Sequence, residues 1–172
     1  MRKSQAFAYW MGGATVLILS FGITLWLTEP EVPQAEKIKL LAASDVSDEV
    51  TLTAAAVAAG LQNSSYVKGH IDALSRIDAT NVNISGWATE TITIISKGAP
   101  INVMVFSGGR NVLTVETKGE RPDVTSTFNL SDLAAKNVTF AGRLECRSGQ
   151  KLLVVAATLS GTYASLGTVS CP

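Results

Sequence analysis

Lys151-Leu152-Leu153-Val154-Val155-Ala156-Ala157-Thr158-Leu159 and the run Thr162-Tyr163-Ala164-Ser165-Leu166-Gly167-Thr168-Val169 decide the fold. Both are too short and too rich in β-branched residues for helices of ordinary length. The first is apolar at odd and even positions alike, as expected of a strand covered on both faces in the middle of a sheet. The same rhythm extends upstream. Val82, Ile84 and Gly86 alternate with polar residues, as do Ile92 and Ile94, and Ile101, Val103 and Val105. Further runs occupy 111–117, 124–130 and 138–145, with glycine, proline or asparagine in the gaps. About eight short strands at this spacing predict an antiparallel β-sandwich, Ig-like or jelly-roll-like, over residues 67–172. One helical turn is expected at Ser131–Lys136, opened by a serine cap.

Before the strands the composition changes. Residues 28–50 hold Pro30, Pro33 and the acids Glu29, Glu31, Glu36, Asp45, Asp48 and Glu49, against Lys37 and Lys39. This reads as a solvated, extended spacer, with 28–66 as a linker that carries a short alanine-rich helix at 51–62. Farther upstream, Ala6 to Leu27 contains no charge, and Arg2 and Lys3 precede it. As a helix the stretch would reach about 33 Å, enough for a bilayer's hydrocarbon core. Positive charge on the amino side keeps residues 1–5 in the cytoplasm and exports everything after Thr28, with Tyr9, Trp10 and Trp26 at the two interfaces. The apolar run exceeds a signal peptide's core, and no small-x-small site ends it, so the expectation is an uncleaved signal anchor at 6–27 in a bacterial inner membrane. Ala8, Gly12, Ser20 and Thr24 share one face of it, a spacing that lets membrane helices approach closely. The first cysteine, Cys146, lies far from the apolar run, which excludes a lipoprotein, and a type IV pilin's glutamate is missing after the Gly22-Ile23 bond.

Acids and bases balance at 14 each over the chain. Arg2 and Lys3 set aside, the exported part is slightly acidic, without the clustered basic face that nucleic acid requires. Cys146 and Cys171 are the two cysteines, both exported, and an oxidising compartment favours pairing them into a structural disulfide. Redox-active pairs are spaced Cys-x-x-Cys, a pattern this chain lacks.

The sequence offers little chemistry. His70 is the single histidine and reads as a surface strand residue. No serine stands in Gly-x-Ser-x-Gly, no glycine-rich loop precedes a helix, and zinc spacings are absent. Asp72, Asp78, Glu90, Glu116, Glu120 and Asp123 are scattered, as surface acids are. Asn63, Asn83, Asn129 and Asn137 each open an Asn-x-Ser/Thr triplet, which matters only where such sites are glycosylated. No catalytic residue, metal ligand or cofactor is expected.

Three segments stand out: Gly69-His70-Ile71-Asp72, Gly86-Trp87-Ala88-Thr89-Glu90 and Arg121-Pro122-Asp123-Val124. In this order they resemble a β-sandwich module of bacterial envelope proteins, often appended to glycosyltransferases and methyltransferases, whose signature is Gly-Trp-Ala-x-Asp followed by Arg-Pro-Asp-Val. The resemblance covers residues 69–145. Glu90 stands in place of the aspartate, and Arg143 follows Gly142 where the module has phenylalanine. The resemblance implies a carbohydrate-linked setting and no catalytic residues. Read physically, Gly86, Trp87, Arg121, Pro122 and Asp123 are structural: Trp87 offers a large ring to the core, and Pro122 fixes the backbone while Arg121 and Asp123 pair and lead the chain into the strand at 124–130.

Two roles follow. The first is a non-enzymatic, membrane-anchored scaffold or accessory subunit that binds another envelope protein. The alternative is a tethered carbohydrate-binding module, with Trp87, Tyr66, Tyr163 or Phe106 stacking on sugar rings. Scaffolding predicts buried rings and an apolar patch or open sheet edge, whereas glycan binding predicts exposed rings beside polar groups.

Overall fold

The structure, a computed structural model, describes residues 32–91 and 98–172. The expected anchor at 6–27 and the Ile92/Ile94 pair lie outside them. Among the described residues no helix is long and apolar enough to cross a membrane.

Residues 33–172 form one compact body. Its elements are α1 (Gln34–Ala42), α2 (Glu49–Ala58), β1 (Gln62–Asn63), β2 (Val67–Arg76), β3 (Asn81–Glu90), β4 (Asn102–Ser107), β5 (Arg110–Glu116), α3 (Pro122–Phe128), α4 (Asp132–Ala135), β6 (Thr139–Glu145), β7 (Lys151–Ala157) and β8 (Thr162–Ser170). Five strands make a sheet in the order β1-β8-β7-β4-β5, and three make a second in the order β2-β3-β6. All pairings are antiparallel except the short β1–β8 contact.

The two sheets pack face to face. Val82, Ile84, Phe140 and Leu144 of the smaller sheet meet Val103, Val105, Leu152, Val154 and Ala156 of the larger one in a closed core. The alternate residues of β4 and β7 point the other way. Met104, Phe106, Leu153, Val155 and Ala157 form a second core with Ile38, Leu41, Leu52 and Ala56 of the two N-terminal helices. This is why 151–157 is apolar on both faces: one side is covered by a sheet and the other by helices. Its place between β8 and β4 is the central one expected.

The helical layer corrects the reading of 28–66 as an extended spacer. From Gln34 onward the segment is folded, because its apolar residues are spaced for a helix face. Ile38 and Leu41 lie one turn apart on α1; Leu52, Ala56 and Ala59 do the same along α2. The acids occupy exposed faces and caps. Asp48 caps α2 by accepting from the Thr51 amide (2.8 Å), while the Thr51 hydroxyl accepts from the Asp48 amide (3.0 Å), a reciprocal capping box.

A second correction falls at 124–130. The run is β-branched but forms α3, entered by Pro122 at the first helical position. The Ser126 and Thr127 hydroxyls donate back to the Asp123 carbonyl, and Asn129 ends the helix with φ 49° in the left-handed region. The helix places Val124 and Phe128, four residues apart, on one face. The turn expected at Ser131–Lys136 is present as α4, with the Ser131 hydroxyl accepting from the Ala134 amide.

Candidate functional site

The three singled-out segments converge on the smaller sheet. β2 and β3 pair Ile71 with Gly86 and Ala73 with Ser85, which leaves Asp72 as the extra residue of a bulge. Opposite the bulge, Gly86 lets the strands close in. A Cβ there would overlap the His70 carbonyl oxygen and lie 2.7 Å from the Phe140 ring. The bulge turns the Asp72 carboxylate toward Arg121, which donates to it from Nη1 at 2.5 Å and to Asp123 from Nε at 2.8 Å. The hydrogen bond to Asp72, reinforced by that to Asp123, raises the guanidinium's pKa further above its ordinary value. Desolvation pushes the Asp123 carboxyl up, but the hydrogen bond and charge of Arg121 outweigh it and hold the group below its ordinary value.

Trp87 follows Gly86 and lies on the outer face of the sheet, so it joins a satellite cluster and not the sandwich core. It is half-buried against Val124, Leu130, Ala134 and Val138, with its ring centroid 5.7 Å from that of Phe128 at a tilt of 46°. Glu90, the motif's fifth residue, points elsewhere and is 5% exposed. Its Oε1 accepts from the hydroxyl of Ser160, in the turn after β7, at 2.8 Å and from that of Thr162, the first residue of β8, at 3.2 Å. The motif thus clasps the two sheets together. Sequence reasoning missed this role. The available signal was the hydroxyl-rich run Thr158-x-Ser160-x-Thr162, the polar complement that a buried carboxylate needs.

The rings proposed as a stacking platform are dispersed. Tyr163 and Phe106 are 2% and 1% exposed, sealed beneath α1 and α2, so both are corrected from ligand contacts to core. Trp87 is covered by α3, and Tyr66 is 53% exposed. His70 is an exposed strand residue opposite Trp87. Beside the Arg121–Asp72 pair lies an open groove of about 640 Å³, lined by Asp72, Ser85, Glu116, Lys118, Arg121 and Thr139. Among the described residues no group of three or more His, Cys, Asp or Glu side chains comes together to hold a metal. Cys146 and Cys171 are bridged, with Cα atoms 6.0 Å apart.

No family model matches the sequence, and no curated protein sequence matches it either. Among solved structures, the sensor domain of the anti-sigma factor RsgI4 of Pseudobacteroides cellulosolvens is similar over 62% of this chain and 95% of that one, with 14% identity and a TM-score of 0.38.

Proposed function

We propose that the chain is a membrane-anchored scaffold or accessory subunit of the bacterial envelope, which binds another envelope protein and performs no chemistry of its own. Ala6–Leu27 holds it in the inner membrane with its amino end cytoplasmic, and its disulfide-closed body is periplasmic. The supporting observation is the division of apolar surface. Phe106 and Tyr163 are interior and Trp87 is covered, whereas Val50 and Val57 on the outward face of α2 are 79% and 69% exposed. No charge occurs between Val50 and Val67. A helix that is apolar outside as well as inside has a surface suited to being covered.

The test is co-purification of the full chain from its native membrane in a mild detergent. A stoichiometric partner is expected, and Val50→Lys with Val57→Lys releases it while circular dichroism stays unchanged. Loss of the reading follows if no partner appears, or if the variant keeps it.

The carbohydrate-binding alternative is favoured by one feature, the groove beside Arg121, where Asp72 and Glu116 balance Lys118 and Arg121 alongside apolar Val115 and Phe140. Binding of the full chain to a glycan array, abolished by Arg121→Ala, would move the proposal to that reading.

A further inference from the structure

Three of the long strands with a free side are bulged. β2 is interrupted at Asp72, β5 at Val112 and β8 at Leu166, and such interruptions spoil an edge for further pairing. β6 differs: its register with β3 runs unbroken from Thr139 to Glu145. The parity of its ladder follows from two bonds, Ala88 N–H to the Val138 carbonyl (2.9 Å) and Cys146 N–H to the Thr80 carbonyl (2.8 Å). Thr139, Ala141, Arg143 and Glu145 therefore direct their backbone N–H and C=O groups away from β3. Those of Thr139 are taken up by Lys118 and Gly119. Among the described residues nothing pairs with the outer groups of the other three, whose side chains are also exposed.

We infer that β6 is the dimerisation edge of this protein, where a second copy adds its own β6 antiparallel about a two-fold axis at Leu144. Charge selects that occupant and that register. Centred on Leu144, Arg143 faces Glu145 of the second copy and Glu145 faces its Arg143, each pair exchanging two backbone hydrogen bonds. Centred on Arg143, the pairing would set arginine against arginine. Centred on Gly142, it would set Arg143 against Ala141 and Glu145 against Thr139, leaving both charges unmatched. Whether the centre is Leu144 or Gly142, the outermost pair stays open, because Arg147 is bonded to Gln150 and Thr139 to Lys118 and Gly119. The contact is self-complementary and closes at two copies, joining two three-stranded sheets into one. Arg143 at present donates to Asp78 at 2.9 Å from an exposed position, so it is free to exchange partners.

The test uses the full chain in detergent micelles, its mass measured by light scattering across a dilution series. A dimer is expected. Arg143→Glu and Glu145→Arg each turn two attractive pairs into two repulsive ones and weaken the dimer by about tenfold. The combined swap restores it. Arg143→Pro, which removes an outward N–H and leaves the β3 ladder intact, yields a folded monomer with no free thiol. A wild-type monomer overturns the inference, as does a dimer indifferent to the single reversals or a double swap that fails to restore association.

Discussion

Gly86 and Asp72 face each other across the β2–β3 pair, and the bulge at one requires the missing side chain at the other. With the His70 carbonyl oxygen and the Phe140 ring already occupying the space of a Cβ, Gly86→Ala forces the strands apart. The expected cost is about 3 kcal/mol, the upper part of the usual range for overpacking. Chemical denaturation of the full chain measures it, and an unchanged midpoint would show that the strands yield freely there. Charge acts at the same scale. Asp78 accepts from the Asn81 side-chain amide at 2.9 Å and from the Thr80 amide at 2.9 Å, which holds its carboxyl well below the ordinary carboxylate range. Asp123 is held below its ordinary value beside Arg121. A carboxyl depressed on folding contributes stability that is complete above its unfolded value of about 4 and lost as the pH falls toward the folded value. The denaturation midpoint is therefore expected to fall steadily from pH 5 to pH 2, and Asp78→Asn to flatten that slope. An equal slope in the variant would show that Asp78 is no more tightly held in the folded chain than in the unfolded one.

At the scale of elements, α3 and Trp87 depend on each other. The ring supplies much of the apolar surface beneath Val124 and Phe128, and the helix hides the ring's outer side. Because Trp87 is only partly buried, Trp87→Ala is expected to cost about 2–3 kcal/mol, less than the 3–5 kcal/mol of a fully enclosed aromatic. Amide exchange would then quicken across 122–135, with β4 and β7 unchanged; uniform quickening would place the ring in the main core instead. Leu41→Ala, at a side chain with no exposed surface, is expected to cost about 3–4 kcal/mol. These two elements also mark where the sequence was readable. The described strands from β3 onward follow from alternation, or from apolar runs covered on both sides, and period two is hard to mimic over seven residues. α3 was misread because Val124, Thr125 and Thr127 favour strand locally, while Trp87, distant in sequence, rewards the helix. α1 is hidden by its own charges, Glu36, Lys37 and Lys39, and by the acids that flank it, since charge count describes the outside of a helix and Ile38 and Leu41 describe the inside. Without a helical layer Phe106 and Tyr163 have no evident cover, which is what lets the carbohydrate-binding alternative place them in a stacking platform, whereas the scaffold reading expects them buried. The Arg121–Asp72 clasp was unreadable for a different reason, because a bulge is a property of two strands in register.

Across the whole molecule, the sandwich is pinned at opposite ends of β8. Cys146 follows β6 of the smaller sheet and Cys171 follows β8 of the larger, so the disulfide joins the sheets at one end. At the other end Glu90, the last residue of β3, is held by Ser160 and Thr162 at the start of β8. The two pins resist different disturbances. Closing a loop between residues 25 apart stabilises by on the order of 3 kcal/mol through the unfolded chain, so reduction lowers stability by about that much at any pH where the fold persists. Removing the carboxylate, in Glu90→Ala, deletes the two hydrogen bonds that tie the sheets at this end, although both hydroxyls keep the Thr158 hydroxyl as a partner, and costs about 1–3 kcal/mol. Since the pins share no partner and lie at opposite ends of β8, their effects are expected to add. Exchange should report the same separation: reduction exposes the amides of Gln150 and Cys171, while Glu90→Ala exposes those of Thr158 and Thr162. If reduction alone opened both ends, the sandwich would be held by the disulfide and the buried carboxylate would contribute nothing to joining the sheets.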